Sequence, residues 1–178
     1  NKSNVKSVKI EDGVTGIGDN AFLECSSMTD ITIPESVTSI GVSAFAQCSS
    51  LTDVTIPENV TSIGEGAFTS CSKLTRVEML CEAPPTTKYP LFQGCACIAA
   101  GVKGILVPVG KVDAYANAEG WGRYTTHITD GRPEITAQPA GCIAKNGGIA
   151  TFSVTAEGEG AITYQWQVDK NDANGFVD

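Results

Sequence analysis

The stretch at residues 37–59 reads VTSIGVSAFAQCSSLTDVTIPEN, and a near copy lies on each side of it. The preceding copy is VTGIGDNAFLECSSMTDITIPES at residues 14–36, and the following copy is VTSIGEGAFTSCSKLTRVEMLCE at residues 60–82. The three align without gaps at a period of 23 residues. Val8 and Ile10 supply the same apolar pattern one unit earlier. Because internal repeats explain recurring residues structurally, they are interpreted before any single motif.

The repeated positions are almost all apolar residues or glycine, as in the columns Ile17/Ile40/Ile63, Gly18/Gly41/Gly64, Phe22/Phe45/Phe68 and Cys25/Cys48/Cys71. A unit of this size is too small to bury its own apolar face, so its stability must come from stacking on the next unit. We therefore predict a solenoid with one strand per coil, followed by a glycine turn at Gly64 and an inward-facing helical turn at residues 67–71. Parallel pairing of successive strands stacks identical side chains along the axis.

Composition excludes several classes of function. The 178 residues are 42% apolar and 18% charged, and no apolar run approaches the roughly 20 residues of a bilayer-spanning helix. The net charge of −8 has the wrong sign for binding a phosphate backbone or anionic lipid, so we expect no nucleic-acid partner and no membrane insertion. The first residues do not form a signal-peptide pattern, which leaves open a cytosolic chain or a targeting peptide removed before residue 1.

The repeat unit also carries a family resemblance. The pattern IPExVTSIGxxAFxxCxxLTxV, present three times with small changes, resembles the leucine-rich repeat of the BspA type, also called the Treponema type. This resemblance implies a bacterial surface or secreted protein and an α+β repeat fold, a short leucine-rich-repeat solenoid with parallel strands. We assign residues 1–80 to these repeats of 23 residues.

The regular repeat ends at Cys81. Phe92 and Cys95 follow the preceding members of their columns by 24 residues rather than 23. The stretch VPVGKVDAYANAEGWGRYTTHI at residues 107–128 is similar to the closing segment of BspA-type arrays, where a helix covers the open end of the last coil. We therefore predict an irregular last coil and a helical C-terminal cap over residues 81–130.

Three aromatic residues in this closing segment admit two interpretations. Tyr115, Trp121 and Tyr124 either fill the core beneath the cap or form an exposed platform on which a carbohydrate ring stacks. The capping role is the prediction, because the exposed end of a solenoid core must be covered.

The last part of the chain alternates apolar and polar residues without the 23-residue period. The segments ITAQP at 135–139, ATFSV at 150–154 and YQWQV at 164–168 resemble the first half of a bacterial immunoglobulin-like domain, with Trp166 in the position of the buried tryptophan. A complete sandwich needs about 100 residues. We therefore expect residues 131–178 to be the first half of an immunoglobulin-like β-sandwich in a longer, multidomain protein. Its uncovered apolar face is expected to dock on the solenoid or to mediate self-association.

Several apparent motifs are better explained by structure than by chemistry. The sequence GIGDNA at residues 16–21 matches a dinucleotide fingerprint in outline, but Ser39 and Ser62 replace its first glycine in later coils. The oxygen-rich segment at residues 169–175 lacks a calcium ligand at Ala173. His127 is the only histidine, so neither a catalytic triad nor a histidine metal centre is easily built. We predict no enzyme activity, no catalytic residue, no metal and no cofactor.

The seven cysteines divide into two groups. Cys25, Cys48 and Cys71 occur once per coil at an apolar column, which predicts a ladder of buried thiols. A second group, at Cys81, Cys95 and Cys97, clusters near the cap, where disulfide pairing in an oxidising setting stays open, and the sequence does not decide the state of Cys142.

Function is expected on a surface of the solenoid. In a strand of the form L-x-x-V-x-I the apolar side chains point inward, so the residues between them line the opposite face. These candidate binding residues are Lys9, Thr29, Asp30, Thr32, Thr52, Asp53, Thr55, Thr75, Arg76 and Glu78. Threonine is also a good strand former, so a binding face and an inert solvated face both remain open.

We interpret the chain as a non-catalytic adhesion or ligand-binding module whose partner is a protein or glycan on a host or bacterial surface. This role follows mainly from the family resemblance, which implies attachment to host matrix proteins and to other bacteria. Two alternatives remain open. One is an accessory binding module of a larger polysaccharide-degrading enzyme, and the other is a purely structural stalk.

Overall fold

The computed structural model of the chain describes residues 2–88, 90–132, 134–137 and 155–157. The chain divides into two units, Asn1–Gly131 and Arg132–Asp178. The repeats and the closing segment lie in the first unit.

Each complete repeat carries two strands rather than the one that the sequence predicted. The longer strands are β1 (Ser7–Lys9), β3 (Asp30–Thr32), β5 (Asp53–Ile56) and β7 (Arg76–Met79). The second strand of each coil has two residues, and these strands are β2 (Gly16–Ile17), β4 (Ser39–Ile40) and β6 (Ser62–Ile63). Two residues are too few to give an alternating pattern, which is why the apolar periodicity did not reveal them.

All strand pairs of the first unit are parallel and follow the repeat period. The sheets have the orders β1-β3, β2-β4-β6 and β5-β7-β8-β9, where β8 is Ile105–Leu106 and β9 is Ile128–Thr129. Ser39 pairs with Ser62, and Asp53 pairs with Arg76, so each residue lies beside the equivalent residue of the next coil. The parallel solenoid predicted from the repeat is confirmed.

The third of these sheets extends past the last regular repeat. Strand β8 (Ile105–Leu106) pairs with β7, and β9 (Ile128–Thr129) pairs with β8. The apolar core continues with them, because Ile105 and Ile128 are both buried. The irregular spacing of the sequence after Cys81 therefore leaves the stacking of parallel strands intact.

The segment predicted as a helical turn, at residues 67–71, is a series of hydrogen-bonded turns, and that prediction is wrong. Phe68 N and Ser70 N donate to carbonyls of the next coil at 3.1 and 2.7 Å, whereas Thr69 N donates back three residues at 2.9 Å. Alternate amides thus bond between coils and within the coil. A helix cannot form here because the neighbouring coil takes every second donor. The predicted inward direction is correct, since Phe68 and Cys71 are fully buried.

The phenylalanine column forms a stacked ladder through the core. Ring centroids lie 5.3 Å apart between Phe22 and Phe45, 5.2 Å between Phe45 and Phe68, and 5.7 Å between Phe68 and Phe92. The last three rings are fully buried, while Phe22 in the first of these coils is only half-buried. The predicted ladder is confirmed and reaches one coil further than the regular repeat.

The closing segment consists of the helix α1 (Val112–Ala116) and a 3₁₀-helix, Gly122–His127. Trp121 and Tyr124 meet the ring of Phe92 at centroid distances of 6.4 and 5.4 Å. Tyr115 packs edge-on against Trp121 at 5.0 Å. Because all three aromatic side chains are at most 2% exposed, the alternative of a carbohydrate-stacking platform is wrong.

The polar atoms of these aromatic residues bond to the last coils. Tyr115 Oη donates to the carbonyl of Cys81 and Trp121 Nε1 to the carbonyl of Pro85, each at 2.8 Å. Tyr124 Oη accepts from the Leu91 amide at 2.7 Å. The closing segment is thereby fixed to the irregular coil by hydrogen bonds as well as by packing.

The second unit contributes two described strands, β10 (Glu134–Ala137) and β11 (Thr155–Glu157), which pair antiparallel with an irregularity between Ile135 and Ala137. Trp166 and the oxygen-rich segment 169–175 lie outside the described residues. The immunoglobulin-like assignment therefore stays a prediction.

Candidate binding faces of the solenoid

The residues proposed as a binding face lie on the outward side of β1, β3, β5 and β7 and just before those strands. We call this set the strand plate, and its members are Lys9, Thr29, Asp30, Thr32, Thr52, Asp53, Thr55, Thr75, Arg76 and Glu78. All are exposed except Glu78, which is half-buried. They alternate with buried residues because successive side chains of a strand point to opposite faces.

The strand plate is interrupted in the middle. Strands β3 and β5 lie next to each other but belong to different sheets. The plate therefore consists of a β1–β3 part, with Lys9 beside Thr32, and a β5–β7 part, with Asp53 beside Arg76.

Four of its five threonine residues fall into two classes that the sequence did not separate. Thr29 Oγ1 donates to the carbonyl of Lys6 and Thr75 Oγ1 to the carbonyl of Thr52, each at 3.2 Å. The hydroxyls of Thr32 and Thr55 form no hydrogen bond with any residue that the structure describes. The first class stabilises the stacking of coils, and the second class points its hydroxyl groups to solvent.

The charges of the strand plate have both signs and are close together. Arg76 Nη2 lies 3.9 Å from Glu78 Oε1, and Asp53 Oδ2 accepts from Thr52 Oγ1 at 2.7 Å. On the other part of the plate, Asp30 Oδ2 accepts from Ser7 Oγ at 3.2 Å. Since these groups are exposed or only half-buried, their mutual attraction contributes little to stability.

A second polar feature was not identified from the sequence. The turn groove, which has a volume of about 370 Å³, is lined by Ser3, Glu24, Ser26, Gln47, Ser49 and Ser70. Glu24, Gln47 and Ser70 form one column of the repeat, and Ser26 and Ser49 form another. The sequence does contain a signal for this groove, because the residue before the buried cysteine is polar in each of the three repeats.

The cysteine column is buried in the described part of the chain. Cys48, Cys71 and Cys95 each donate a thiol hydrogen bond to a phenylalanine carbonyl of the preceding coil, at 3.2, 3.1 and 2.9 Å. The predicted thiol ladder is confirmed, and it includes Cys95. Hydrogen bonds to Cys48 and Cys95, together with burial, raise the pKa of Cys71 far above its usual range.

The thiols near the closing segment are also free. Cys81 Sγ lies 3.1 Å from the carbonyl of Pro57 and 3.4 Å from that of Val60, and burial raises its pKa to about 11. Cys95 and Cys97 are likewise unpaired and buried. The disulfide alternative for these three residues is not realised in this structure, because the thiol of Cys81 faces backbone carbonyls.

The other motifs have structural explanations. Gly16 and Ile17 are strand β2, paired with Ser39 and Ile40, so the apparent dinucleotide fingerprint is part of the solenoid. His127 is half-buried, with Nδ1 2.8 Å from the carbonyl of Val102. Over the residues that the structure describes, no group of three or more metal-ligating side chains occurs, and no helix is long and apolar enough to cross a bilayer.

The repeat geometry and the match to a known family point to the same class. A model of the BspA-type leucine-rich repeat region matches residues 1–100 in six copies. The chain belongs to the BspA-type leucine-rich repeat family. The family predicted from the sequence is thus confirmed, and its matched region extends beyond the regular repeats into the irregular coil.

Two solved structures are similar to this BspA-type chain. One is a leucine-rich cell surface protein from Faecalibacterium prausnitzii A2-165, with 38% sequence identity and a TM-score of 0.43. The matched region covers 46% of this chain and 21% of that protein. The other is a leucine-rich repeat protein from Bacteroides ovatus ATCC 8483, with 25% sequence identity and a TM-score of 0.50. The matched region covers 72% of this chain and 29% of that protein. The chain therefore spans less than a third of the length of either protein. Among curated proteins, none matches it.

Proposed function

We propose that this BspA-type chain is a non-catalytic binding module of a bacterial cell-surface or secreted protein, and that its strand plate contacts a protein or glycan on another surface. The observation that carries the proposal is the exposure of nine of the ten plate residues on strands whose other side is buried. A rigid array of this kind loses little conformational entropy when it binds.

Family membership supports the location and the absence of catalysis. BspA-type repeats occur in surface proteins, and the similar protein from Faecalibacterium prausnitzii is described as a leucine-rich cell surface protein. The plate itself offers hydroxyls at Thr32 and Thr55 between groups of opposite charge. Such a surface suits a polar partner whose charges complement Asp53 and Arg76.

The remaining segments have supporting roles in this proposal. The closing segment, α1 with the following 3₁₀-helix, is the C-terminal cap of the solenoid, because its aromatic residues cover the last ring of the phenylalanine ladder. Residues 131–178 are the start of an immunoglobulin-like module that acts as a spacer or as a second binding module.

The strand plate is tested by exchanging two of its charges. The double variant Asp53→Lys, Arg76→Glu keeps the net charge and keeps opposite charges beside each other across β5 and β7. It removes the exposed ion pair between Arg76 and Glu78, which contributes little to stability. We expect it to remain folded and to lose binding to the partners that the wild-type chain captures on an array of matrix proteins and glycans.

The matched control exchanges a charge pair away from the plate. Lys111 Nζ lies 2.9 Å from Glu82 Oε2, and the double variant Glu82→Lys, Lys111→Glu should bind like the wild-type chain. Equal binding by the plate variant and the wild-type chain would exclude the plate as the site. An absence of any captured partner would favour the structural stalk.

A further inference from the structure

The turn groove runs across three successive coils. Glu24, Gln47 and Ser70 follow one another at the 23-residue period, and Ser26 and Ser49 lie on the same groove. The coils are stacked at the spacing of the phenylalanine rings, 5.2–5.3 Å. The groove therefore presents polar groups at regular intervals along the axis, in a volume at the lower end of the range of small-ligand sites.

The backbone of the groove is fixed, while the side chains of its Glu24, Gln47 and Ser70 column remain available. The amides of Glu24, Gln47 and Ser70 donate to carbonyls of the next coil at 2.9, 2.8 and 2.7 Å. Their side chains are exposed, and none forms a hydrogen bond with a described residue. The Ser49 hydroxyl differs from these three side chains, because it donates to the carbonyl of Ser26 in the preceding coil at 3.5 Å.

The same three residues have left-handed backbone conformations, with φ of 63°, 62° and 62°. The following coil has Gly94 at the corresponding place, with φ of 76°. Glycine adopts this conformation without strain, whereas other residues do not. Folding alone would therefore accept glycine at all of these positions, yet three coils carry a polar side chain that faces the groove.

The chemistry of the groove restricts its ligand. Its lining provides one carboxylate, one carboxamide and four hydroxyls, and it contains no cationic, aromatic or aliphatic side chain. The ammonium of the adjacent Lys2 donates to the carbonyls of Asn20 and Ala21. A carboxylate without a facing cation disfavours phosphate, sulfate and carboxylate groups, and the lack of apolar side chains in the lining disfavours the apolar side chains of a peptide.

We propose that the turn groove is a binding site for a neutral oligosaccharide that lies along the solenoid axis. The Gln47 carboxamide, in the middle coil, donates to one sugar hydroxyl and accepts from another, and the Glu24 carboxylate accepts from a second sugar unit. The exposed hydroxyl of Ser70 completes the contacts. Because the groove has no aromatic ring on which a sugar can stack, it binds its ligand weakly, and it selects neutral over anionic glycans.

The test is a titration of the ¹⁵N-labelled 178-residue chain with the hexasaccharides of cellulose, starch, chitin and mannan, and with a heparin hexasaccharide as the anionic comparison. At least one neutral hexasaccharide should shift the side-chain amide resonances of Gln47, and heparin should not. The variant Gln47→Gly keeps a left-handed backbone and removes the carboxamide. It should weaken that binding about tenfold, the effect of losing two hydrogen bonds.

The control is Thr55→Ala on the strand plate, which should bind the neutral hexasaccharide like the wild-type chain. The proposal is overturned if no neutral hexasaccharide shifts the Gln47 resonances, if only heparin does, or if Gln47→Gly binds as well as the wild-type chain. The groove and the plate share no residue. The oligosaccharide titration of the groove and the charge-exchange test of the plate can therefore succeed or fail independently.

Discussion

Gly41 and Gly64 illustrate how a single column is determined by the distance between coils. A Cβ atom on Gly64 would lie 2.4 Å from the amide nitrogen of Val42, and one on Gly41 would lie 2.6 Å from that of Asp19. A Cβ on Gly18, in the first coil of this column, would meet nothing within 4 Å. The recurring glycine therefore allows close approach of the backbone, and the sequence-based explanation as a turn was incomplete.

This difference predicts unequal effects of the same substitution. Gly64→Ala should lower the free energy of unfolding by about 1–3 kcal/mol, because backbone atoms of the preceding coil must move. Gly18→Ala is the control and should change it by no more than about 0.5 kcal/mol. Urea unfolding followed by circular dichroism measures both values, and similar losses for the two variants would contradict the close-approach explanation.

The phenylalanine ladder gives a second prediction at the scale of the residue. Phe45 is fully buried between two stacked rings, so Phe45→Ala should cost about 3–5 kcal/mol through lost burial and the cavity that remains. Phe22 is half-buried and has one ring neighbour, so Phe22→Ala should cost clearly less. Urea unfolding compares the stability of the two variants. A larger loss of unfolding free energy for Phe22→Ala than for Phe45→Ala would show that the ladder is not the core of the array.

At the scale of the element, what the sequence predicted depended on how far the pattern was repeated. The inward columns recur three times, which was enough to predict parallel stacking and the Phe and Cys ladders. The local conformation at residues 67–71 was predicted wrongly, because the spacing of Phe68 and Cys71 fits a helical turn equally well. What distinguishes the two is the acceptor that the next coil offers to Ser70, and that contact is not visible in a single repeat.

The closing segment permits a prediction based on one hydroxyl group. Tyr124 Oη accepts from the buried amides of Leu91 at 2.7 Å and Phe92 at 3.3 Å. Among the residues that the structure describes, the Phe92 amide has no other acceptor. Tyr124→Phe preserves the ring but leaves these donors unpaired, so it should destabilise the chain by about 1–3 kcal/mol.

The comparison variant for this prediction is Tyr115→Phe, which leaves the carbonyl of Cys81 rather than an amide without its partner. Unpaired carbonyls are tolerated better than unpaired amides, so its loss of stability should be smaller. Thermal unfolding of both variants provides the measurement, and an unchanged stability in Tyr124→Phe would mean that water replaces the hydroxyl.

At the scale of the whole molecule, the two candidate surfaces differ in how far the sequence reveals them. The strand plate follows from the alternation of apolar and polar residues around Val54 and Val77, so the sequence alone identifies its residues. The turn groove depends on left-handed backbone at Glu24 and Gln47, which no periodic pattern of apolar residues encodes. The sequence also did not separate the Thr29 class, which bonds the coils together, from the Thr55 class, which faces solvent.

The stacked architecture predicts a gradient of local stability along the solenoid. Each coil is held by its neighbours, so a coil with partners on both sides should open less readily than one at the end of the array. The Val77 amide lies in β7, between β5 and β8, and donates to Gly104 at 2.8 Å. The Ile10 amide belongs to the first coil, where β1 has only β3 as its partner among the described strands, and donates to Thr32 at 3.0 Å.

Hydrogen exchange should therefore be slowest around Val77 and fastest around Ile10, with opening free energies that differ by about 2 kcal/mol or more. Exchange of the native chain followed by NMR, at a pH where opening is at equilibrium, measures this difference directly. Phe45→Ala should speed exchange at both sites if the array opens as one unit, but mainly in the first coils if stability is the sum of neighbouring interfaces. Equal exchange at Val77 and Ile10 in the native chain would contradict the gradient and indicate all-or-none opening of the whole array.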